Sequence, residues 1–371
     1  MNDQLIGFVL GVLSNALFAA LVFALSPRFR LIVRSAYRSF WRAGRGLQRA
    51  LTADPSVVTG MRTVSLGVLL NGSSPYLVDL EHAFLAEALS VLEENGIKLH
   101  VEREIGSATR DPAADQGAID RICARFSGGA PDIFITIGSG ISTAVRQICK
   151  DIPQIFLAVT DPVASGLVRS LAPDSSRGPV TGVTFSITAK ERLAFICEVF
   201  HPRVLGFIHN PAYLADVHEL AAFRDAAKLL ATTYRVEIRG IECTGPSLDA
   251  AMQTECDVLA GWLYLHENMA AFVKMAARPI IGGGWVDLRM GACCCISDDE
   301  REMGRLAARR ILVEYLLNRK PLALMPVYRL EGDGRARLFT GFNLDAAQRW
   351  QVSFPVALLD RAHCVLQEQR P

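Results

Sequence analysis

Strand-like and helix-like segments alternate from Thr63 almost to the end of the chain, and this alternation constrains the fold more than any other feature. Short apolar runs such as 63–70 and 204–210 are typical of buried strands, whereas 77–96 has the apolar spacing of an amphipathic helix. Strands that alternate with helices form parallel sheets covered by helices on both faces. Because the alternation runs through two successive halves, we predict an α/β fold of two doubly wound, Rossmann-like lobes.

The overall composition excludes several classes of protein. The chain has 371 residues and a formal net charge of +1, so its charge does not indicate nucleic-acid binding. Its nine cysteines include the adjacent residues 293–295, but they form no CxxC or Cys/His pattern typical of a metal site. We therefore expect no metal, no cofactor and no nucleic-acid partner. Thiols at this density favour a reducing compartment.

The first 27 residues have the features of a transmembrane anchor. Leu5–Leu25 contains no charged residue and, at about 21 residues, would span about 31 Å as a helix, the thickness of a bilayer core. No basic residue precedes this segment, whereas arginines are frequent in 28–49, and basic residues stay on the cytoplasmic side. We predict a single-pass inner-membrane protein whose body faces the cytoplasm. The alternative is an ordinary secretion signal with an unusual leader.

Two further features of the N-terminal segment indicate membrane and oligomer contacts. Small or polar residues recur every four positions within the apolar segment, at Gly7, Gly11, Asn15 and Ala19. Such a stripe favours a homo-oligomer through the membrane helix, although glycine and alanine are also simply common in such helices. The residues 28–60 are predicted to form a basic amphipathic helix on anionic lipid, followed by a short linker.

Ligands of open parallel sheets bind beyond the carboxyl ends of the strands, so the residues that follow each predicted strand are the candidates for a site. In the first half these are Asn71, Ser73, Tyr76, Ser139, Gly140, Ser142, Thr160 and Asp161. In the second half they are Asn210, Tyr213, Glu267, Asn268 and Trp285. Backbone amides around Gly138–Ser142 suit a carboxylate or phosphate, although tight packing equally explains glycine at such a turn.

Several motifs of the body occur in a fixed order. They are KDIPQIFLAVTDPVASGLVRSL (150–171), VTGVTF (180–185), VLGFIHNP (204–211), RPIIGGGWVDLRMGA (278–292), SDDEREMGRLAARRIL (297–312) and FNLDAAQRWQVSFPVALLDRAHCVL (342–366). This series resembles the ABC transporter substrate-binding family that includes tryptophan- and tyrosine-binding lipoproteins. The resemblance extends over about 60–366, which is essentially the whole body.

The resemblance implies a type I periplasmic-binding-protein fold, in which two lobes joined by a hinge close on a small solute. Family members capture aromatic or other small organic solutes for import and have no catalytic activity. The resemblance places the first lobe at 61–180, completed by about 290–325, and the second at 181–290, completed by about 326–371. It also implies that the strand-end residues of both lobes supply the ligand contacts.

The chemistry of these side chains predicts how they would bind an aromatic amino-acid-like or nucleotide-like ligand. Asp161 would pair with a ligand amine or a ribose hydroxyl, and Tyr76, Tyr213 or Trp285 would stack on a planar ring. A turn carboxylate before Pro162 is the alternative for Asp161, and core burial is the alternative for Trp285.

The chain also departs from the family pattern. No cysteine precedes Cys123, whereas family members carry a lipidated N-terminal cysteine. The polar residues usual after the Asn-Pro turn are replaced by 212–215, Ala-Tyr-Leu-Ala, so the ligand of the relatives cannot be transferred.

Three functional hypotheses follow. The first is a membrane-anchored sensor that binds a small molecule and signals through its transmembrane helix. The second is the extracytoplasmic solute-binding component of an ABC importer, with an ABC permease as partner. The third, an enzyme, is disfavoured because the sequence has no nucleophile–base pair, no metal spacing and no phosphate-transfer motif.

Overall fold

The computed structural model describes residues 62–107, 111–244, 253–261, 269–330 and 338–367, which fold around two β-sheets. The predicted anchor and basic helix lie outside the described residues. Among the helices that are described, none combines the length and the apolar character needed to cross a bilayer.

The first sheet is parallel throughout and has the strand order β2-β1-β3-β4-β5. Its strands are β1 (Arg62–Asn71), β2 (Ile97–Gly106), β3 (Ile133–Ile137), β4 (Gln154–Val159) and β5 (Val180–Thr184). The helices between them are α1 (Pro75–Glu93), α2 (Pro112–Ala124) and α3 (Ser139–Ile148). The strands β3, β4 and β5 are buried along their whole length, as expected when helices cover both faces of a parallel sheet.

The second sheet has seven strands in the order β12-β11-β10-β9-β8-β6-β7, and only the β10–β11 pair is antiparallel. Its strands are β6 (Val204–His209), β7 (Glu237–Glu242), β8 (Val258–Ala260), β9 (Ile280–Gly282), β10 (Cys294–Asp298), β11 (Leu338–Asn343) and β12 (Cys364–Leu366). Its helices are α4 (Ala189–Phe200), α5 (Leu214–Leu229), α6 (Met269–Met275) and α7 (Trp285–Arg289). The predicted α/β class with two doubly wound lobes is confirmed.

The chain crosses between the two sheets more than once. It passes from β5 to α4, which begins at Ala189, and returns after β10 in α8 (Glu300–Ala307). A π-helical turn (Ala308–Leu312) and α9 (Val313–Leu316) continue this helix, and a 3₁₀ turn follows at Leu322–Leu324. The helix α8 packs on α1 and thereby completes the first lobe.

The C-terminal part of the chain completes the second lobe. After β11, α10 (Leu344–Arg349) and α11 (Val356–Leu359) lead to the edge strand β12. Before that crossing, Tyr328 lies beside β5, where its amide donates to the carbonyl of Gly182 at 2.8 Å and its carbonyl accepts from the amide of Thr184 at 3.0 Å. The connection that contains Tyr328 is therefore hydrogen-bonded to β5, the strand after which another connection begins.

Of the three adjacent cysteines, Cys293 directly precedes β10 and the other two begin it, and all three are buried. Burial raises the pKa of the Cys293 thiol to about 12 and raises those of Cys294 and Cys295 well above their usual value. A buried thiol that stays protonated packs as a small apolar side chain and is a poor nucleophile.

Candidate functional site

The chain leaves each sheet for the other lobe at the carboxyl end of a strand. Two connections between the lobes start at such ends, one after Thr184 of β5 and one after Asp298 of β10. The lobes also touch away from these connections, because α1 contacts α7 and α3 contacts α5. The two lobes are therefore joined by the connections and also by two pairs of helices.

Asn71 at the end of β1 organises the loop that starts α3. Its Oδ1 accepts a hydrogen bond from the amide of Ile141 at 3.0 Å. A Cβ atom at Gly138 would lie 2.6 Å from the Asn71 Cβ, and one at Gly140 would overlap Oδ1. The glycines thus allow Asn71 to dock on the first turn of α3, with Gly138 at φ 103° in a conformation that favours glycine.

The serines of this turn also bind their own surroundings. The Ser139 hydroxyl accepts from the amide of Thr160 at 3.2 Å, which joins the ends of β3 and β4. The Ser142 hydroxyl is buried and lies 2.9 Å from Thr136 Oγ1 and 2.6 Å from the carbonyl of Gly138. Ser139 and Ser142 therefore shape the start of α3. The Ile141 amide of this turn is taken by Asn71, so the amides of Ser139 and Gly140 are the ones suited to an anion.

Asp161 is a turn residue in the structure. Its Oδ1 accepts from the amides of Val163 at 3.0 Å and Ala164 at 2.8 Å. This arrangement is the turn carboxylate that the sequence offered as the alternative role. Ser73, at the end of β1, is exposed.

Tyr76 lies in the core of the first lobe with no exposed surface. Its ring stacks on Phe185 at a centroid distance of 6.4 Å, and its hydroxyl lies 3.9 Å from the sulfur of Met303. Gly284 lies next to this ring, since a Cβ there would be in ordinary van der Waals contact with Tyr76 at 3.5 Å. The ring of Tyr76 packs at the junction between the lobes.

Asn210 closes the turn between β6 and α5 in the second lobe. Its side-chain oxygen accepts from the backbone amide of Ala212 at 2.9 Å, and its backbone amide donates to the Asp216 carboxylate at 2.8 Å. Tyr213 is half-buried at the residue before α5. Glu267 and Asn268, the other candidates from this lobe, lie outside the described residues.

Trp285 begins α7 directly after the glycines that end β9. It is half-buried against the core of the first lobe, and the Arg289 guanidinium lies 5.1 Å from the centroid of its ring. The preceding turn is fixed by Asp287, which accepts from the amide of Gly283 at 2.7 Å. Trp285 therefore lies at the junction between the lobes, on the same side as Tyr76.

Two buried charged groups near the connections were not among the predicted site residues. Asp298 accepts from the amides of Ser186 at 2.9 Å and Ile187 at 3.1 Å, and from the Ser186 hydroxyl, so it ties one connection to another. Burial raises the pKa of its carboxyl despite these donors. The only sequence signal for this role of Asp298 was its position at the end of a predicted strand, directly before the chain passes to the other lobe.

The second buried group is an ion pair between α4 and α5. Arg192 donates to Glu219, and both residues are only 6% exposed. Burial raises the pKa of Glu219, and the Arg192 guanidinium opposes that rise. The ion pair fixes the angle between the two helices that cover this face of the second sheet.

This architecture defines a two-lobed solute-binding protein with the type I periplasmic-binding fold. Residues 85–365 match the ABC transporter substrate binding protein family, and the chain belongs to that family. The resemblance inferred from the ordered motifs is thereby confirmed. Because members of this family bind solutes and do not transform them, the protein is a binding protein and not an enzyme.

Individual relatives agree with this assignment. The chain is 26% identical over 268 residues to a tyrosine-binding protein of Clostridioides difficile, which covers 68% of this chain and 74% of that protein. A conserved domain protein from Vibrio cholerae has a similar structure, with a TM-score of 0.67, 20% identity and coverage of 82% and 100% of the two chains. A Streptococcus pneumoniae ABC domain in complex with L-Trp has a TM-score of 0.66, 18% identity and coverage of 81% and 100%.

The predicted placement of the protein is wrong. We expected a single-pass inner-membrane protein with a cytoplasmic body, but the chain belongs to the ABC transporter substrate-binding family, whose members capture solutes outside the cytoplasm. A further structural neighbour, at 19% identity and a TM-score of 0.59, is a C. difficile substrate binding protein with adhesive properties. The charge bias around Leu5–Leu25 therefore misled the prediction of orientation.

Proposed function

We propose that the protein is the solute-binding component of an ABC importer and that it binds an aromatic amino acid in the cleft between its lobes. One observation carries the proposal: α3, whose start is built on Asn71 and the glycines 138 and 140, contacts α5 of the second lobe. The names of the relatives support the ligand class, because one binds tyrosine and another was crystallised with L-Trp.

The ligand would be held by groups from both lobes. Its carboxylate would accept from the first amides of α3, where the helix dipole adds to the attraction. Its ammonium would pair with the second carboxylate oxygen of Asp161, whose Oδ1 is held in the turn. Its ring would lie against Tyr213 and the glycine-lined end of β9 (Ile280–Gly282), since Tyr76 is committed to the core.

The importer hypothesis is favoured over the membrane-anchored sensor and over a nucleotide-like ligand. The sensor depended on a cytoplasmic body, which the family assignment removes. A nucleotide would need phosphate or ribose contacts, whereas the relatives point to amino acids. The implied partner is therefore an ABC permease.

Calorimetric titration of the full-length chain with L-tryptophan, L-tyrosine and L-phenylalanine tests the ligand class. We expect saturable binding of at least one of them, and a stabilisation of about 2.7 kcal/mol at a hundredfold excess over Kd. Tryptamine and indole-3-propionate, which lack the carboxylate and the ammonium respectively, should bind at least about tenfold more weakly. Binding of adenosine in place of all three amino acids would contradict the proposal.

The importer role is tested separately in cells. Deleting the gene should reduce uptake of the labelled amino acid that binds in calorimetry, and restoring the gene should restore uptake. Unchanged uptake at limiting solute concentration, together with tight binding in vitro, would contradict the importer role and leave the binding result intact.

A further inference from the structure

A groove with a volume of about 280 Å³ lies beside the connection between β10 and α8. Its lining includes Trp285, Leu288, Arg289, Glu300, Phe339 and Cys364. The strands β11 and β12 that form its floor lie on one side of β10, whereas β6, β8 and β9, whose ends face the cleft, lie on the other. The groove therefore lies on the β11–β12 side of β10.

Glu300 is the first unusual group of this groove. It is only 4% exposed, yet none of the salt bridges among the described residues includes it. Burial raises its pKa to about 7; Asp299 and Asp79 add to that rise, whereas its own backbone amide and Arg301 oppose it. A buried carboxyl without a cation costs free energy unless a partner arrives.

The groove also contains donors that lack acceptors. The indole Nε1 of Trp285 is buried and has no hydrogen-bond partner within the described part of the chain. Arg289 lies over the same indole ring at 5.1 Å, and no carboxylate of the described residues forms a salt bridge with it. Arg289 is exposed, but the indole N–H of Trp285 is buried, and buried polar groups in folded proteins nearly always have a partner, so this N–H indicates a missing acceptor.

The remaining surface is apolar. Leu288, Phe339 and Leu366 lie along the groove, and Leu288 packs closely on β11 near Gly341. The volume of about 280 Å³ is just below the range of about 300–1,000 Å³ for small-molecule sites, which suits a solute the size of an amino acid.

We infer that this groove binds a small zwitterionic solute with an apolar side chain, such as an aliphatic amino acid. The carboxylate of the solute accepts from Trp285 Nε1 and Arg289, its ammonium pairs with Glu300, and its side chain lies on Leu288 and Phe339. A simple acid leaves Glu300 unpaired, and a simple amine leaves the two donors unpaired. This second site is independent of the solute bound in the cleft.

The test uses the indole N–H resonance of Trp285 in the full-length ¹⁵N-labelled protein, assigned by its loss in Trp285→Phe. At pH 8, we expect L-leucine to shift this resonance saturably. The expected Kd is millimolar or tighter, on the order of 1 mM. 4-Methylpentanoate and 3-methylbutylamine, which each lack one charge, should bind at least about tenfold more weakly. No shift with L-leucine, or equal binding of all three solutes, would overturn the assignment.

Two variants locate the signal. Cys364→Trp fills the groove and should abolish the shift, whereas Val365→Trp adds the same bulk to the adjacent, 44% exposed residue, whose side chain points to the opposite face of β12, and should leave the shift unchanged. Glu300→Gln should weaken L-leucine at least about tenfold and leave 4-methylpentanoate unaffected. A shift with wild-type affinity in Cys364→Trp would assign the signal to the cleft and refute the groove site.

Discussion

Replacing Arg192 with methionine is expected to destabilise the protein by about 3–5 kcal/mol, because it leaves the Glu219 carboxylate buried without its cation. Arg192 and Glu219 are both 6% exposed, and Asp216 on the same helix raises the pKa of Glu219 further. Urea unfolding at pH 7.5 measures the loss. The double variant Arg192→Met, Glu219→Met should recover much of it, since it removes both charges together.

The loss of stability in Arg192→Met should become smaller as the pH falls. Burial already raises the pKa of Glu219 in the folded protein, and removing Arg192 takes away the main influence that lowers it. A carboxyl whose folded pKa exceeds its unfolded value favours folding when protonated, and this contribution disappears as the pH rises through the folded pKa. Arg192→Met should therefore regain stability relative to the wild type as the pH falls from neutral towards 5.

An exposed ion pair on α5 is the matched control. Lys228 and Asp225 lie 2.7 Å apart, but their side chains are 75% and 71% exposed. Exposed pairs contribute little, so Lys228→Met should hardly change the midpoint of unfolding at any of these pH values. Equal losses in the Lys228 and Arg192 variants would mean that the buried pair does not have the stabilising role inferred here.

The layout of strands and helices could be predicted because it depends on local patterns. The apolar runs at 63–70 and 204–210 correspond to β1 and β6, and the helical pattern at 77–96 corresponds to α1, as the periodicity of buried residues requires. Gly96 lies between α1 and β2 at φ 73°, a left-handed conformation that favours glycine. Neighbouring residues alone determine such features.

The roles of the strand-end side chains could not be predicted in the same way. Asn71 faces the amide of Ile141, and Tyr76 packs on Phe185 and Met303, so their partners are far away in sequence. A side chain at a strand end can face the cleft or a neighbouring loop, and only the packed structure decides which. Asp161 was an exception, because a turn carboxylate interacts with residues two and three positions ahead.

The buried charges illustrate the same limit. Arg192 and Glu219 lie on different helices, and Asp298 binds residues of another connection. Each is a common charged residue in a helical or strand-end context that is usually exposed. Their burial depends on how α4, α5 and β10 pack, which no local pattern encodes.

Adding a single methyl group at Gly140 is expected to disrupt the start of α3 and the binding of the amino acid. The new Cβ would overlap Asn71 Oδ1, which must hold its position to accept from the amide of Ile141. Overpacking of this kind costs about 1–3 kcal/mol, and displaced amides should weaken L-tryptophan at least about tenfold in calorimetry.

Gly117→Ala is the matched control, because it makes the same change inside α2, where the near neighbour is the flexible end of Arg121 at 3.2 Å. Alanine is the better helix former, so this variant should be as stable as the wild type or more stable by about 0.5–1 kcal/mol, with unchanged affinity. The double variant Asn71→Ala, Gly140→Ala removes the overlapping oxygen and should recover stability relative to Gly140→Ala. Wild-type affinity in Gly140→Ala would show that the first turn of α3 does not hold the carboxylate of the ligand, and the cleft would then need another anchor for it.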